Sequence, residues 1–491
     1  DLVLDVVRDN FSASHPIAAL AVAPLADAAG VYHANPQLVY LPSQQALGDF
    51  NKDYAGAVYL FEERPDDEAW RKDAPFFGNP RDVISTFDMI EEVREDHDKR
   101  IDQRWTIRSR LFDLAIGDWD RHDDQWRWGK FEKGDNDYYR PIPRDRDQAF
   151  ANYDGTIFRI ARIVSPKSKQ WRPFTPQLGR THWATYNAYL FDQSFLTDLS
   201  WEDWQEAIRH LQTTLTDDVI EQAFRDSWPE PFLSRDAPAI IATIKGRRDK
   251  LTEIARDYYE FLAQKVDVLG TDKKDLFLID RLDETHTRVR VFDTNKEGDR
   301  EGKFYDRIFV HSETQDIYCY GLGDDDIFEV RGDVPYGSSV HLIGGEGKDV
   351  FDDQSFTRAC GKQVSIYDFS SEDNELINTN DSRDRRSRRP QDNLYNRRST
   401  AYDHNFNSTL PLLGFNPDDK IFAGFSGTYT RYGFRKDPYA SRHNYGALVS
   451  LSSGGVRAYY DGNWANVIGR WGLQFATELQ TPLYASNFYG L

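Results

Sequence analysis

The sequence predicts a multidomain α+β chain: a mainly helical lobe interrupted by one β-hairpin, a small β-rich domain, and a closing series of antiparallel strands. Three observations predict it. Apolar residues recur at helical spacing through most of 64–268, the period switches to two over 276–369, and alternation resumes from Ile421 with Tyr, Gly and Trp prominent. Length agrees with several domains, because 491 residues with 39% hydrophobic and 29% charged side chains bury sizeable cores and exclude wholesale disorder. The 61 basic against 81 acidic residues leave a formal charge of −20, a field that repels a phosphate backbone and argues against a nucleic-acid partner. No apolar run approaches the ~18 residues of a spanning helix, so any membrane passage must be made by strands.

Within 1–62, Ser14-His15-Pro16 opens a helical pattern that Gly30 stops, and two short β-like runs follow at Val39–Leu41 and Val58–Phe61. Helices are expected at Arg104–Ile116, Trp201–Leu211, Asp217–Ser227, Ala237–Thr243 and Arg247–Lys265, giving a helical domain over 63–268. Gln125–Phe131 and Tyr138–Ile142 flank the turn Gly134-Asp135-Asn136, which reads as a hairpin inserted among helices. Residues 275–375 form the β-rich domain. Residues 376–400, with seven arginines over 380–398 and no apolar period, read as a solvated linker. The last segment, 401–491, carries strands. Asp1 and Leu491 both fall in mid-pattern, so the chain reads as a piece of a longer protein. Cys319 and Cys360 are too few for a disulfide scaffold or a four-cysteine zinc site, and one bridge between them stays open.

The densest polar cluster is Gly117-Asp118-Trp119-Asp120-Arg121-His122, followed by Gln125 and, across the hairpin, by Asp145-Arg146-Asp147. A hairpin brings its two ends together, so Asp120, Gln125 and Asp145 should converge. Converging carboxylates plus an amide oxygen suit a hard divalent cation and a polyphosphate, with one carboxylate left to accept a proton. Lone His15 and His33 lie near apolar segments and read as structural.

Asp120-Arg121-His122 with Gln125, then Asp145 with Phe150 five residues on, resembles the catalytic segment of atypical kinases of the CotH-like and secretory-pathway kinds. The resemblance covers about residues 30–268. It implies a kinase-like helical lobe, with 1–62 the remainder of a small lobe, and Mg²⁺ or Mn²⁺ with ATP or another nucleotide. It also implies Asp120 as catalytic base, Asp145 as metal ligand, and Gln125 or Asp147 assisting. Glu62 and Glu63 would fall at the nucleotide-facing hinge. Gln125 stands where relatives place Asn or an acidic ligand, so the lobe is expected to be degenerate, an interaction or assembly module, with an active phosphotransferase as the alternative. Nucleotide is scarce outside the inner membrane, which favours the first. Gly117-Asp118-Trp119-Asp120-Arg121 also resembles the Gly-Asp-x-x-Asp-Arg signature of calcineurin-like metallophosphoesterases, one residue short, which leaves a phosphoesterase domain upstream of this chain as a further alternative.

Gly344-Gly345-Glu346-Gly347-Lys348-Asp349 resembles one turn of a calcium-binding β-roll repeat, and Gly321–Asp326 is a looser copy. The resemblance implies Ca²⁺ at Asp326 and Asp349, against a plain structural role as turns. In the last segment Trp471, Leu473, Phe475 and Leu479 alternate with Arg470, Gln474 and Glu478, as in a transmembrane barrel strand. Leu413–Tyr439 is similar to the first strands of BamA-like surface-antigen barrels of large bacterial envelope proteins. That implies a truncated outer-membrane β-barrel over 401–491, bacterial outer-membrane localisation, and lipid and other envelope proteins as partners.

Overall fold

A computed structural model describes residues 13–65, 74–295, 299–358, 361–417, 420–469 and 471–484. Cys360 and Arg470 therefore lie outside the described residues, and the bridge and lumen positions expected of them are not addressed. The chain divides into two units, one of Asp1–Tyr153 with Arg172–Tyr395 and one of Asp154–Trp171 with Asn396–Leu491. Helices of seven residues or more are numbered.

In the first unit α1 (Ala18–Ala29) ends on Gly30 in the left-handed region, after an apolar run buried on most sides. A two-stranded ribbon of β1 (Gln37–Leu41) and β2 (Ala57–Phe61) follows. Next come β3 (Asp82–Ser85), α2 (Thr86–Glu95), β4 (Lys99–Ile101), α3 (Gln103–Ile116), β5 (Trp126–Lys133) and β6 (Asn136–Pro143). Asp102 caps α3 by accepting the Trp105 N–H, and Gly117 at φ 73° closes it, so the chain turns sharply where Asp118 begins. The inserted hairpin is β5–β6, pairing from Trp126–Pro143 at its base to Lys133–Asn136 at its tip, in a sheet of order β3-β5-β6-β4. Its inner face buries Trp126, Trp128 and Tyr139, and Trp126 stacks 4.4 Å from Phe191.

The helical bundle consists of α5 (Tyr189–Phe195), α6 (Trp201–Thr214), α7 (Asp217–Ser227), α8 (Ala237–Asp249) and α9 (Leu251–Ala263), with α1 and α3. A Ser200–Asp203 capping box starts α6, and Thr216 caps α7. Amphipathic faces then bury Trp204, Ile208 and Leu211 against Phe224, Tyr258 and Tyr259.

Directly after α9 the chain enters stacked parallel sheets. One has order β19-β17-β14-β11-β7 and the other β10-β9-β8-β12-β15-β18. The strands are β7 (Lys265–Leu269), β8 (Asp275–Arg281), β9 (His286–Thr294), β10 (Arg300–Val310), β11 (Asp316–Gly323), β12 (Ile327–Arg331), β13 (Asp333–Val334), β14 (Ser339–Glu346), β15 (Val350–Asp353), β16 (Phe356–Thr357), β17 (Val364–Tyr367), β18 (Glu375–Ile377) and β19 (Ser382–Asp384). β9 and β10 form an antiparallel flap on β8; the sheet neighbours from β11 onward pair in parallel. The repeat is Gly-x-x-x-x-Asp-x-Phe: Gly270–Phe277, Gly321–Phe328 and Gly344–Phe351. The phenylalanines form a stack, 4.7 Å between Phe277 and Phe328 and 5.1 Å between Phe328 and Phe351. Each aspartate accepts the backbone N–H of its counterpart one rung earlier: Asp275 N–H donates to Asp326, Asp326 N–H to Asp349, and Asp349 N–H to the Asn374 amide oxygen. A Cβ at Gly321 or Gly344 would overlap these carboxylates, which is why the corner is glycine.

This differs from the expected solvated linker over 376–400. β18 and β19 lie in that range and extend both sheets, and Ser382 is buried with its hydroxyl donating to Asp353. Three-residue strands are too short to show a period, and the surrounding arginines masked them.

Asp326 and Asp349, singled out by the calcium-repeat resemblance, each commit one oxygen to a backbone N–H, while the other oxygen is buried without a partner. One charge-assisted hydrogen bond contributes ~1.5–3 kcal/mol, less than the several kcal/mol needed to bury an ion. Burial therefore pushes both carboxyls far up, Asp349 further by the facing Asp368 and Asp326 further by Asp275 and Asp349. The folded chain holds protons there that the unfolded chain releases, so their contribution to stability is full below the ordinary aspartate range and lost as pH rises through neutrality. Asp349→Asn keeps the accepting oxygen, as Asn374 does natively. It should raise the urea midpoint at pH 8 and flatten its decline between pH 5 and 9, which chemical denaturation at several pH values measures.

In the second unit β20 (Phe406–Asn416), β21 (Lys420–Arg431), β22 (Ser441–Ser450), β23 (Val456–Ile468) and β24 (Trp471–Gln480) form an antiparallel meander in sequential order. Among the described residues β20 and β24 do not pair with each other, so both edges are open. Register places Leu413, Ala423, Phe425, Ala447, Val449, Ala458, Leu473, Phe475 and Leu479 on one face. The other carries Thr428, Asn444, Asp461, Gln474, Arg457 and Glu478, joined by an Arg457–Glu478 ion pair at 2.7 Å. The segment 154–171, expected in the helical domain, belongs to this unit, with α4 (Thr156–Val164) packed on β20.

Candidate functional site

The hairpin base gathers the predicted residues. Arg144 N–H donates to Gln125 O at 2.9 Å, and the Gln125 amide donates to Asp145 Oδ2 at 3.2 Å across 20 residues of chain. Asp145 sits at φ 53°, a left-handed conformation that turns its carboxylate back toward the hairpin base. Five residues on, Phe150 (φ 61°) donates its N–H to Ile116 O at 2.9 Å and buries its ring beside Phe174 and Phe224. The Asp145–Phe150 stretch is thus clamped at both ends.

Beneath the loop runs a chain of buried ions. Arg110 forks onto Asp192 at 2.6 and 3.0 Å and onto Asp113 at 2.5 Å, and Tyr258 donates to Asp192 at 2.5 Å. Arg146 bonds Asp113 and, at 3.1 Å, Asp118; Arg121 pairs with Asp118 at 2.8 Å. Arg121 ends the chain by donating to Arg144 O at 2.7 Å and Asp145 O at 2.5 Å. Three arginines meet three aspartates, all nearly inaccessible to solvent. Burial pushes Asp118 up and Arg121 down, so neither is comfortable without the other. Asp118 spends its Oδ2 on two guanidinium groups.

Asp120 accepts a hydrogen bond from the Asn187 amide and keeps 27% of its side chain exposed, with His122 Nε2 at 3.9 Å. Asn187 lies 67 residues downstream in the turn before α5, and nothing in the local sequence marks it. Asp147 is raised up to about 6, by burial and then by Asp145. Tyr153 feels both Asp147 and Asp120, and its hydroxyl donates to Gln148 at 2.7 Å. Glu62 is solvent-exposed at the end of β2, and its carboxyl is raised, by desolvation first and by Asp145 second. Glu63 instead accepts the Asn35 N–H at 2.7 Å. His15 stacks on Trp228 at 4.2 Å and meets Asp236 at 3.2 Å, and His33 is buried with Nδ1 on Ala34 O.

The described residues contain no ready-made group of three or more His, Cys, Asp or Glu side chains holding a metal. A hard cation placed at the hairpin base would draw on Asp145 with Asp147 and Glu62, whose raised carboxyls both feel the Asp145 charge. Binding would require the Gln125 amide to turn its oxygen toward Asp145.

No protein-family model matches the chain, and no curated protein matches it. A solved structure, the Shewanella oneidensis MR-1 toxin–antitoxin complex of HipA and HipB with operator DNA, overlaps 48% of this chain at 11% identity and a TM-score of 0.26. This chain spans 57% of that one. So partial an overlap at so low a TM-score carries no argument about this chain.

Arg121→Met leaves Asp118 half-paired and two carbonyls without donors. It should cost about 3–5 kcal/mol, as breaking a buried pair does, read as a lower urea midpoint. Arg104→Met, removing an exposed pair with Asp203, should cost under about 1 kcal/mol by the same assay.

Proposed function

We propose that the chain is part of a bacterial outer-membrane protein. In this reading its second unit supplies the first strands of a β-barrel, and its first unit supplies a kinase-like, degenerate lobe that serves as an envelope interaction or assembly module. The observation that carries the reading is the two-faced meander of β20–β24. Its apolar face exposes Trp471 at 80% and Leu479 at 71%, while its polar face satisfies itself by ion pairs and amides. A sheet of a water-soluble protein would cover such a face; a barrel wall turns it to lipid and keeps the polar face in the lumen. Lipid and other envelope proteins are the partners this implies.

In the lobe, Asp145 and Asp147 would hold Mg²⁺ or Mn²⁺, with Gln125 turned to assist. Such an ion, when bound, would neutralise the phosphates of ATP or a related nucleotide. Asp120 is left partly exposed with its orientation set by Asn187. That favours a second reading, an active phosphotransferase in which Asp120 accepts the proton of an acceptor hydroxyl.

Membrane fractionation of the full-length protein should recover it with outer membranes, with heat-modifiable migration on gels. Phe475→Arg, on the apolar face, should lower folding into bilayers by roughly 2–4 kcal/mol while Gln474→Arg leaves it near wild type. Recovery in the soluble fraction would defeat the barrel.

Titration of the full chain with Mn²⁺, followed by water proton relaxation, should show binding that weakens from pH 7 to pH 5 as protons compete at Asp147. Asp145→Asn should abolish it and Asp147→Asn should flatten its pH dependence. Unchanged affinity in both variants would remove the cation site. Phosphotransfer by the purified chain that Asp120→Asn abolishes would favour the active reading over the degenerate one.

A further inference from the structure

The segment 154–171 interrupts the sequence of the helical lobe yet belongs to the unit of β20–β24. Its helix α4 packs on β20, two contacts fold the segment onto itself, and a third reaches β20. Phe158 meets Trp171 edge-on at 6.1 Å, Arg162 Nη1 donates to Trp171 O at 2.5 Å, and the Lys169 ammonium lies 5.2 Å over the Phe406 ring. The helix buries Phe158. Its other large apolar side chains point outward: Ile157, Ile160, Ile163 and Val164 are 43%, 55%, 46% and 44% exposed.

A surface helix of a soluble domain does the reverse, burying its apolar stripe and showing its polar one. Ile157, Ile160 and Val164 fall on one face at spacings of three and seven. Arg159 borders the exposed side next to Ile163, Arg162 lies on the opposite side with its guanidinium on Trp171 O, and Lys167 and Lys169 follow. No aspartate or glutamate occurs from 155 to 171, although the whole chain carries a charge of −20. Basic side chains along one edge of an outward apolar stripe are complementary to one surface in particular, the boundary of an anionic leaflet.

Position agrees. α4 sits against the strand whose first residue is Phe406, which pairs with Thr430, next to the Asn407–Tyr429–His443 row. At that same strand end His443 lies 6.0 Å from Tyr429 and 5.2 Å from the Trp464 ring, a cluster of amphipathic rings of the kind that marks a membrane–water boundary.

We propose that α4 is an in-plane membrane helix. Its Ile157–Ile160–Val164 face lies among acyl chains at the leaflet boundary, with Arg159 and Lys167 over lipid phosphates, beside the first strand of the membrane sheet. The proposal rests on the barrel reading of the second unit, and its test separates the two.

The full-length chain, with Cys360→Ser, is folded into liposomes of phosphatidylcholine and phosphatidylglycerol. A polarity-sensitive fluorophore is attached in turn at Ile160→Cys, Gln474→Cys and Phe475→Cys, and quenched by lipids carrying a doxyl group on the acyl chain. Emission should be at least halved at 160 and 475 and little changed at 474. Replacing phosphatidylglycerol by phosphatidylcholine should weaken quenching at 160 but not at 475. Quenching at 475 without quenching at 160 would overturn the helix proposal and leave the barrel standing. Quenching at 160 alone would uphold lipid contact by α4 and overturn the barrel. No quenching at either position would overturn both. Protection of 160 in native envelopes combined with no quenching in liposomes would assign the face to a protein and overturn the lipid proposal. Should Ile160→Cys fold poorly, Ile157→Cys reads the same face.

Discussion

The buried chain Tyr258–Asp192–Arg110–Asp113–Arg146–Asp118–Arg121 is the interaction on which the first unit depends. It links α9, α5 and α3 to the loop after Gly117 and ends on the carbonyls of Arg144 and Asp145. No link in it is optional, since each ion is inaccessible to water and removal of one strands its neighbour. A hydrophobic core of equal volume would contribute as much stability but would not specify where a backbone carbonyl sits. Fork-shaped guanidinium groups do, and here they specify the position from which the Asp145 carboxylate projects. The acidic space at the hairpin base is therefore a consequence of the charges underneath it.

The same rule, that a buried polar group must meet a partner, explains the stacked parallel sheets by a different route. There the partners are backbone N–H groups one rung away, and the aspartate ladder advances with the phenylalanine stack. The ladder satisfies only one oxygen per carboxylate. Protonation takes care of the other, so this domain stores acid groups in neutral form while the hairpin base, more open to solvent, leaves its carboxylates in mutual repulsion. Similar side chains thus differ in charge according to burial.

Much of the architecture was legible from pattern. The helical period, the hairpin around Gly134 and the strand alternation after Ile421 all follow from side-chain spacing, which is a local property. The convergence of Gln125 and Asp145 was legible too, because a hairpin of known turn leaves its ends no choice. Three features were not. The rung Gly270–Phe277 stands 51 residues before Gly321, because the flap of β9–β10 interrupts the 23-residue spacing that the other two rungs show. β18 and β19 are too short to carry a period. Asn187 reaches Asp120 across 67 residues, a distance no local signal spans.

By itself the sequence determined element type, the two-faced character of the last strands and which charged residues share the hairpin base. The tertiary structure alone decided which charges are buried and which remain available. Asp118 and Asp120 lie two residues apart on the same turn, yet one is sealed between two guanidinium groups and the other keeps access to solvent. It also decided that 154–171 leaves the lobe in which its sequence lies. The physical reason is the same in both cases: spacing along the chain specifies which face a side chain shares, whereas burial depends on what the rest of the chain brings to that face.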